Sequence, residues 1–192
     1  MQYLTYTGLF RSHIKKNVLL YDFGIIFSSS IFIALSAQIS LYLPFSAIPV
    51  TGQTFAVLLT GILLGSRRGF LAVLLYLTEG ISGLPVFASG NTGPLYLLGP
   101  TGGYLLGFIP AVYLAGLLAE SGWDRRFITA FFAVFLGNII IYIAGISWLA
   151  RFVGPDKLLM VGLIPFIPGA IIKMVLAALL LPTGWKIIKR YQ

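Results

Sequence analysis

Few side chains in this chain of 192 residues can do chemistry, and they are spread thinly. Lys173 stands among Ile171, Ile172, Met174 and Val175. An ammonium in apolar surroundings at membrane depth marks a functional site unless it snorkels to the interface. Its chemistry would be the binding of a negative group. Glu79 is the single acid between Asp22 and Glu120. It can accept from a ligand donor, cap a helix or snorkel. Asn91 and Gly90 belong to Ser89-Gly90-Asn91-Thr92-Gly93, which has the composition of a turn and is open to ligand contact. Gln53 sits just after Pro49-Val50-Thr51-Gly52, where its amide can satisfy a freed backbone group. Phe87, Tyr96, Tyr104, Tyr142 and Trp148 are either interface aromatics or the lining of an apolar pocket with polar tips.

Hydrolytic chemistry has one candidate. Gly80-Ile81-Ser82-Gly83 has the G-x-S-G form of rhomboid intramembrane proteases. That serine needs a base. The sole histidine, His13, falls at the opposite end of the apolar runs, so no hydrolase is expected. There is no P-loop and no H-E-x-x-H, so this chain is not expected to hydrolyse ATP. Cysteine is absent, which excludes disulfides and thiolate metal sites; no metal or cofactor is expected.

The elements that must position these residues follow from composition. The chain is 58% hydrophobic and 9% charged, with mean hydropathy +0.97. Lipid can solvate that much apolar surface, and water cannot. The apolar runs are unbroken rather than alternating, so helices are expected and not a barrel. The reading is an all-α membrane protein, one integral domain over 1–192, built as a bundle of six transmembrane helices. The spans predicted are 18–43, 50–65, 69–80, 100–120, 127–150 and 164–182. Arg67 and Arg68 are expected in a tight loop, and 151–157 in a short one. Gly80 to Ala119 carries no charge, and its first half is rich in Gly, Pro, Ser, Asn and Thr. A structured outer loop between the third and fourth spans is therefore expected, buried in protein or lining a cavity. Small residues recur as Gly61, Gly65 and Gly69, and as Gly99, Gly103 and Gly107. They suit close helix packing inside the bundle.

The net charge is +8. The cations lie in short clusters between apolar runs, which is a membrane-orientation pattern and not a nucleic-acid groove. With the amino terminus inside, Arg11, Lys15, Lys16, Arg67, Arg68, Arg125, Arg126, Lys186, Lys189 and Arg190 fall on the inner side, against Arg151 and Lys157 outside. Ten against two predicts both termini cytoplasmic. The first apolar run is too long for a signal peptide, and no processing is expected.

Several strings together resemble the BioY family. They are Pro49-Val50-Thr51-Gly52-Gln53-Thr54-Phe55, Gly65-Ser66-Arg67-Arg68-Gly69, Gly83-Leu84-Pro85-Val86-Phe87-Ala88, Leu98-Gly99-Pro100-Thr101-Gly102-Gly103-Tyr104 and Pro165-Phe166-Ile167-Pro168-Gly169-Ala170-Ile171-Ile172-Lys173. The resemblance covers about 30–182. It implies a six-helix substrate-binding subunit of an energy-coupling factor transporter in the inner (cytoplasmic) membrane, holding biotin near the outer face. Its partners would be biotin, membrane lipid and a module of one transmembrane coupling subunit and two ATPases. It carries ligand contact onto Asn91 and Lys173, and docking on the coupling subunit onto Ser30 and Ala34. Gln53, Glu79, Phe87, Gly90 and Tyr104 complete the expected ligand set.

Two positions depart from the family pattern. Ala170 replaces an aspartate three residues before the lysine, removing an acceptor for ureido N–H groups. Leu105 replaces an arginine of some members, removing a carboxylate partner. Glu79 is expected to take over the lost acceptor role. Two other functions fit the same architecture less well: capture of another small vitamin or precursor, and a solitary transporter or channel, which would need polar rings along several helices.

Overall fold

The computed structural model describes residues 5–13, 17–44, 46 and 48–190. Lys15 and Lys16 lie outside the described residues, as do the side chains of Arg11, His13, Lys189 and Arg190. The helices are α1 (Tyr6–His13), α2 (Val18–Gln38), α3 (Gln53–Leu64), α4 (Ser66–Ile81), α5 (Pro94–Leu98), α6 (Gly102–Glu120), α7 (Phe127–Leu149), α8 (Pro155–Gly162) and α9 (Ile167–Arg190). Two-residue strands β1 (Ser40–Leu41) and β2 (Val50–Thr51) pair antiparallel.

Among the described residues, four stretches are long and apolar enough to cross a membrane: 18–38, 102–120, 127–149 and 155–188. Most of their outward side chains are apolar. On α2, Leu19, Leu20, Phe23, Phe27, Ile31 and Leu35 are all exposed, a surface that only lipid or a partner helix can solvate. This is a multi-pass membrane protein.

The expected spans map onto α2, α3, α4, α6, α7 and α9, with corrections at their ends. The first ends at Gln38 rather than 43, because the chain turns into β1 and Gly52 N–H donates to Ile39 C=O. The second starts at Gln53 rather than 50, after β2. Arg67 and Arg68 are not in a loop but in the first turn of α4. Gly65, at φ +86°, ends α3, and the Glu120 carboxylate caps the next helix, accepting from Ser66 N–H at 2.8 Å and from its hydroxyl at 2.9 Å. A single residue, Gly65, thus separates the two helices. Helix α8 fills what was expected to be loop, and α9 continues through Pro182 to Arg190.

The glycine ladders serve packing within the bundle. A Cβ on Gly61 would stand 2.4 Å from Val112 C=O, so α3 and α6 touch backbone to backbone. One on Gly103 would stand 2.2 Å from Trp148 Cβ, which brings α6 equally close to α7.

The two ends of the bundle are built differently. At one end the segments predicted to lie inside meet. Arg68 pairs with Asp22 at 3.0 Å, Tyr6 stacks on Trp185, and Trp185 Nε1–H donates to the buried Asp124, whose carboxyl is pushed up by burial. At the other end meet the β hairpin, the 82–101 connection and α8.

Candidate ligand-binding site

At that second end, the β2–α3 junction, the start of α6, the middle of α7, the turn before α9 and α9 itself enclose a cavity of about 40 Å³. Its position follows from two breaks in helical order. The β2 pairing holds Val50 and Thr51 extended just before α3, so Thr51 C=O lies outside the helical ladder. Pro165 and Pro168 keep Ile164–Phe166 in a short 3₁₀ turn, which swings Phe166 over the space.

Lys173 enters from α9. Its Nζ donates to Thr51 C=O at 2.5 Å and to Thr54 Oγ1 at 2.9 Å. The cation is therefore held at the cavity wall by neutral oxygens, with no carboxylate among its partners in the described residues. A positive charge held by dipoles alone retains an attraction for an anion.

Gln53 is also on the wall and is buried. Its Nε2 donates to Tyr76 Oη, its Oε1 accepts from Thr51 Oγ1 at 3.1 Å, and Tyr76 O–H passes the chain on to Val86 C=O at 3.2 Å. This relay ties α3, α4 and the outer connection together. Tyr104 presents its ring to the cavity, while its hydroxyl donates to Gly162 C=O at 2.6 Å and anchors the end of α8. Phe166 lies 6.0 Å from the Tyr104 ring and 6.3 Å from that of Tyr142. With Tyr96, Phe108 and Leu105 they make an apolar, largely aromatic chamber with polar groups along the β2–α3 side.

Of the residues singled out as a ligand set, Lys173, Gln53 and Tyr104 line this one cavity. The other expected ligand residues stand outside the cavity lining. Phe87 is fully buried one layer away. It lies 5.7 Å edge-on from Tyr76 and is stacked 5.4 Å from Tyr96, with its ring filling the place where Gly80 has no side chain. Asn91 folds back, its Nδ2 donating to Ala88 C=O at 2.7 Å, and Gly90 is exposed at φ +74°. Both build the turn, and that turn sets Ala88 in the cavity wall. Glu79 points to α2, where the Ser30 hydroxyl donates to its carboxylate. In this position its carboxylate stands outside the lining, as does the buried Ala170. Ser30 is fully buried by that contact and so is not on an open face of α2, whereas Ala34 is half-buried.

Thr51, Thr54, Thr101 and Phe166 line the cavity without having been singled out from the sequence. A signal existed for the first two. Both flank Gln53 at the predicted break, and hydroxyls at such a break reach either backbone or cavity.

The sequence profile of the BioY family matches residues 13–190. The chain is 40% identical over 154 residues to a probable biotin transporter BioY of Pyrococcus horikoshii, covering 79% of this chain and 90% of that one. It is 42% identical over 149 residues to the biotin transporter BioY of Thermotoga maritima, covering 77% and 86%. A crystal structure of the S-component for biotin from an ECF-type ABC transporter superposes with TM-score 0.77 at 26% identity, over 90% of this chain and 95% of that one.

Proposed function

Since the chain belongs to the BioY family, we propose that it captures biotin in this chamber and acts as the substrate-binding subunit of an energy-coupling factor transporter. The observation that carries the reading is Lys173 held at the wall of an aromatic chamber by the Thr51 carbonyl and the Thr54 hydroxyl. Biotin has an apolar fused ring and chain, a ureido group and a carboxylate. The rings of Tyr104, Tyr142 and Phe166 suit the first, and hydroxyl and amide oxygens along Thr51, Gln53 and Thr54 suit the ureido N–H groups. Lys173 suits the negative group.

A cavity of about 40 Å³ has room for a few waters. Small-molecule pockets run from about 300 Å³ upward. Capture therefore involves outward movement of the walls. The β hairpin is one of these walls. Ser46 donates to Val161 C=O at 3.1 Å, Ser40 and Ser89 share a hydrogen bond of 2.7 Å, and Lys173 holds Thr51.

The wider reading places six spans in the cytoplasmic membrane, with both termini in the cytoplasm and the chamber facing out. Energy comes from a module of one membrane coupling subunit and two ATPases, which α2 meets on the side of Ala34. The test is uptake by cells that cannot make biotin, at trace external biotin. Co-expression of this chain with a coupling module should restore growth. Growth restored by the module alone, or by neither, contradicts the proposal.

A further inference from the structure

A second concavity lies on another face of α6, on the surface of the bundle between α4 and α6. Its volume is about 470 Å³, and Arg67, Phe70, Leu71, Ile109, Pro110 and Tyr113 line it. The walls are apolar except at one end. There Arg67, on the first turn of α4, is exposed and has no hydrogen-bond or ion-pair partner among the described residues. Its neighbour Arg68 is engaged with Asp22.

The direction and length of the groove are set by α6. Glu120, at the foot of α6, caps the same first turn of α4 that carries Arg67. On α6 the lining runs from Ile109 to Tyr113 and on α4 from Arg67 to Leu71, about 6 Å along each helix at about 1.5 Å per residue. The groove thus starts near the α3–α4 turn and runs toward the middle of the bundle, long enough for the upper part of an acyl chain. Leu71 and Tyr113, at 48% and 44% exposure, leave it open sideways to lipid.

We propose that this groove seats one acyl chain of an anionic phospholipid of the leaflet on the Arg67 side, with the headgroup phosphate paired to Arg67. Charge complementarity selects this occupant. An exposed guanidinium with no partner among the described residues, beside an apolar slot, fits a phosphate joined to a hydrocarbon chain. The inference depends on the membrane-spanning reading and not on the identity of the captured vitamin.

The test uses native mass spectrometry of the full chain with phosphatidylglycerol and phosphatidylcholine of identical chains, supplied in equal amounts. Wild type should retain one phosphatidylglycerol in preference by about fivefold, the factor one cation contributes at a membrane surface. Arg67→Gln should bring the preference close to one, and Arg67→Lys should keep most of it. Leu71→Trp, which fills the groove without changing charge, should weaken retention of both lipids. Elution profile and melting temperature confirm that each variant is folded. The chain has no cysteine, so Leu71→Cys with a photo-crosslinker reports what lies in the groove of membranes containing the whole transporter; lipid adducts are expected. Equal retention of the two lipids by wild type, an unchanged preference in Arg67→Gln, or crosslinks to a partner protein in place of lipid would each overturn the proposal.

Discussion

Lys173 reaches across from α9 to the β2–α3 junction, and that placement decides what the cation can do. Its partners are a carbonyl and a hydroxyl, so an arriving carboxylate meets an ammonium that has no anion to give up. Lys173→Ala should weaken biotin binding at least about tenfold, roughly 1.4 kcal/mol. Titration of the purified variant with labelled biotin measures this. Glu79 should behave differently. It clasps Ser30 of α2 and stands outside the chamber. Glu79→Gln and Glu79→Ala should both bind biotin within about twofold of wild type, while Glu79→Ala lowers the melting temperature more. The amide can still accept from Ser30, whereas loss of the acceptor strands a buried hydroxyl at about 1–3 kcal/mol. A large loss of affinity in both Glu79 variants would show that the carboxylate turns to the ligand after all. The type of Lys173 and its apolar neighbours made it legible in the sequence. The inward turn of Glu79 was not legible, because nothing local to residue 79 says that Ser30, 49 positions away, offers a donor.

At the scale of elements, long apolar runs read directly as helices, since hydropathy over about 20 residues is a local property. The α3–α4 reversal was not readable in that way. Arg67 and Arg68 look like loop residues, yet the Glu120 carboxylate, more than 50 positions away, caps the helix that contains them. The β hairpin was hidden for a similar reason. Two-residue strands carry no periodicity, and their pairing depends on the fold around Pro49. The 82–101 connection was foreseen as structured, but the device that orders it was not. Phe87 seats its ring against Gly80, with Tyr76 and Tyr96 on either side. In Gly80→Ala the new Cβ would stand 2.1 Å from that ring. It should cost about 1–3 kcal/mol of stability, displace the Ala88 wall and speed biotin release. Thermal unfolding and dissociation kinetics of the same preparation check both. A variant with wild-type stability and dissociation would mean that the loop is not held by Phe87.

At the scale of the whole molecule, the two ends of the bundle divide the work. One end is a clamp of Arg68–Asp22, Glu120–Ser66 and Trp185–Asp124 contacts, and the other holds the chamber. Between them α2 packs on α4 through Asp22 and Ser30 and turns outward a row of exposed Phe, Leu and Ile. That open face suits a helix that meets another protein. Ala34→Leu should spare biotin binding and abolish co-purification with the coupling module, because a larger side chain holds helices apart. Ser30 cannot share that role while it is buried on Glu79. The central claim is that the chamber alone, without nucleotide or partner, recognises biotin. Equilibrium binding of labelled biotin to the purified chain, challenged in parallel with unlabelled biotin, thiamine and riboflavin, tests this most directly. The account predicts saturable binding of one biotin per chain, displaced by biotin at concentrations where neither other vitamin competes. Absence of saturable binding, or displacement by thiamine or riboflavin as readily as by biotin, would contradict it.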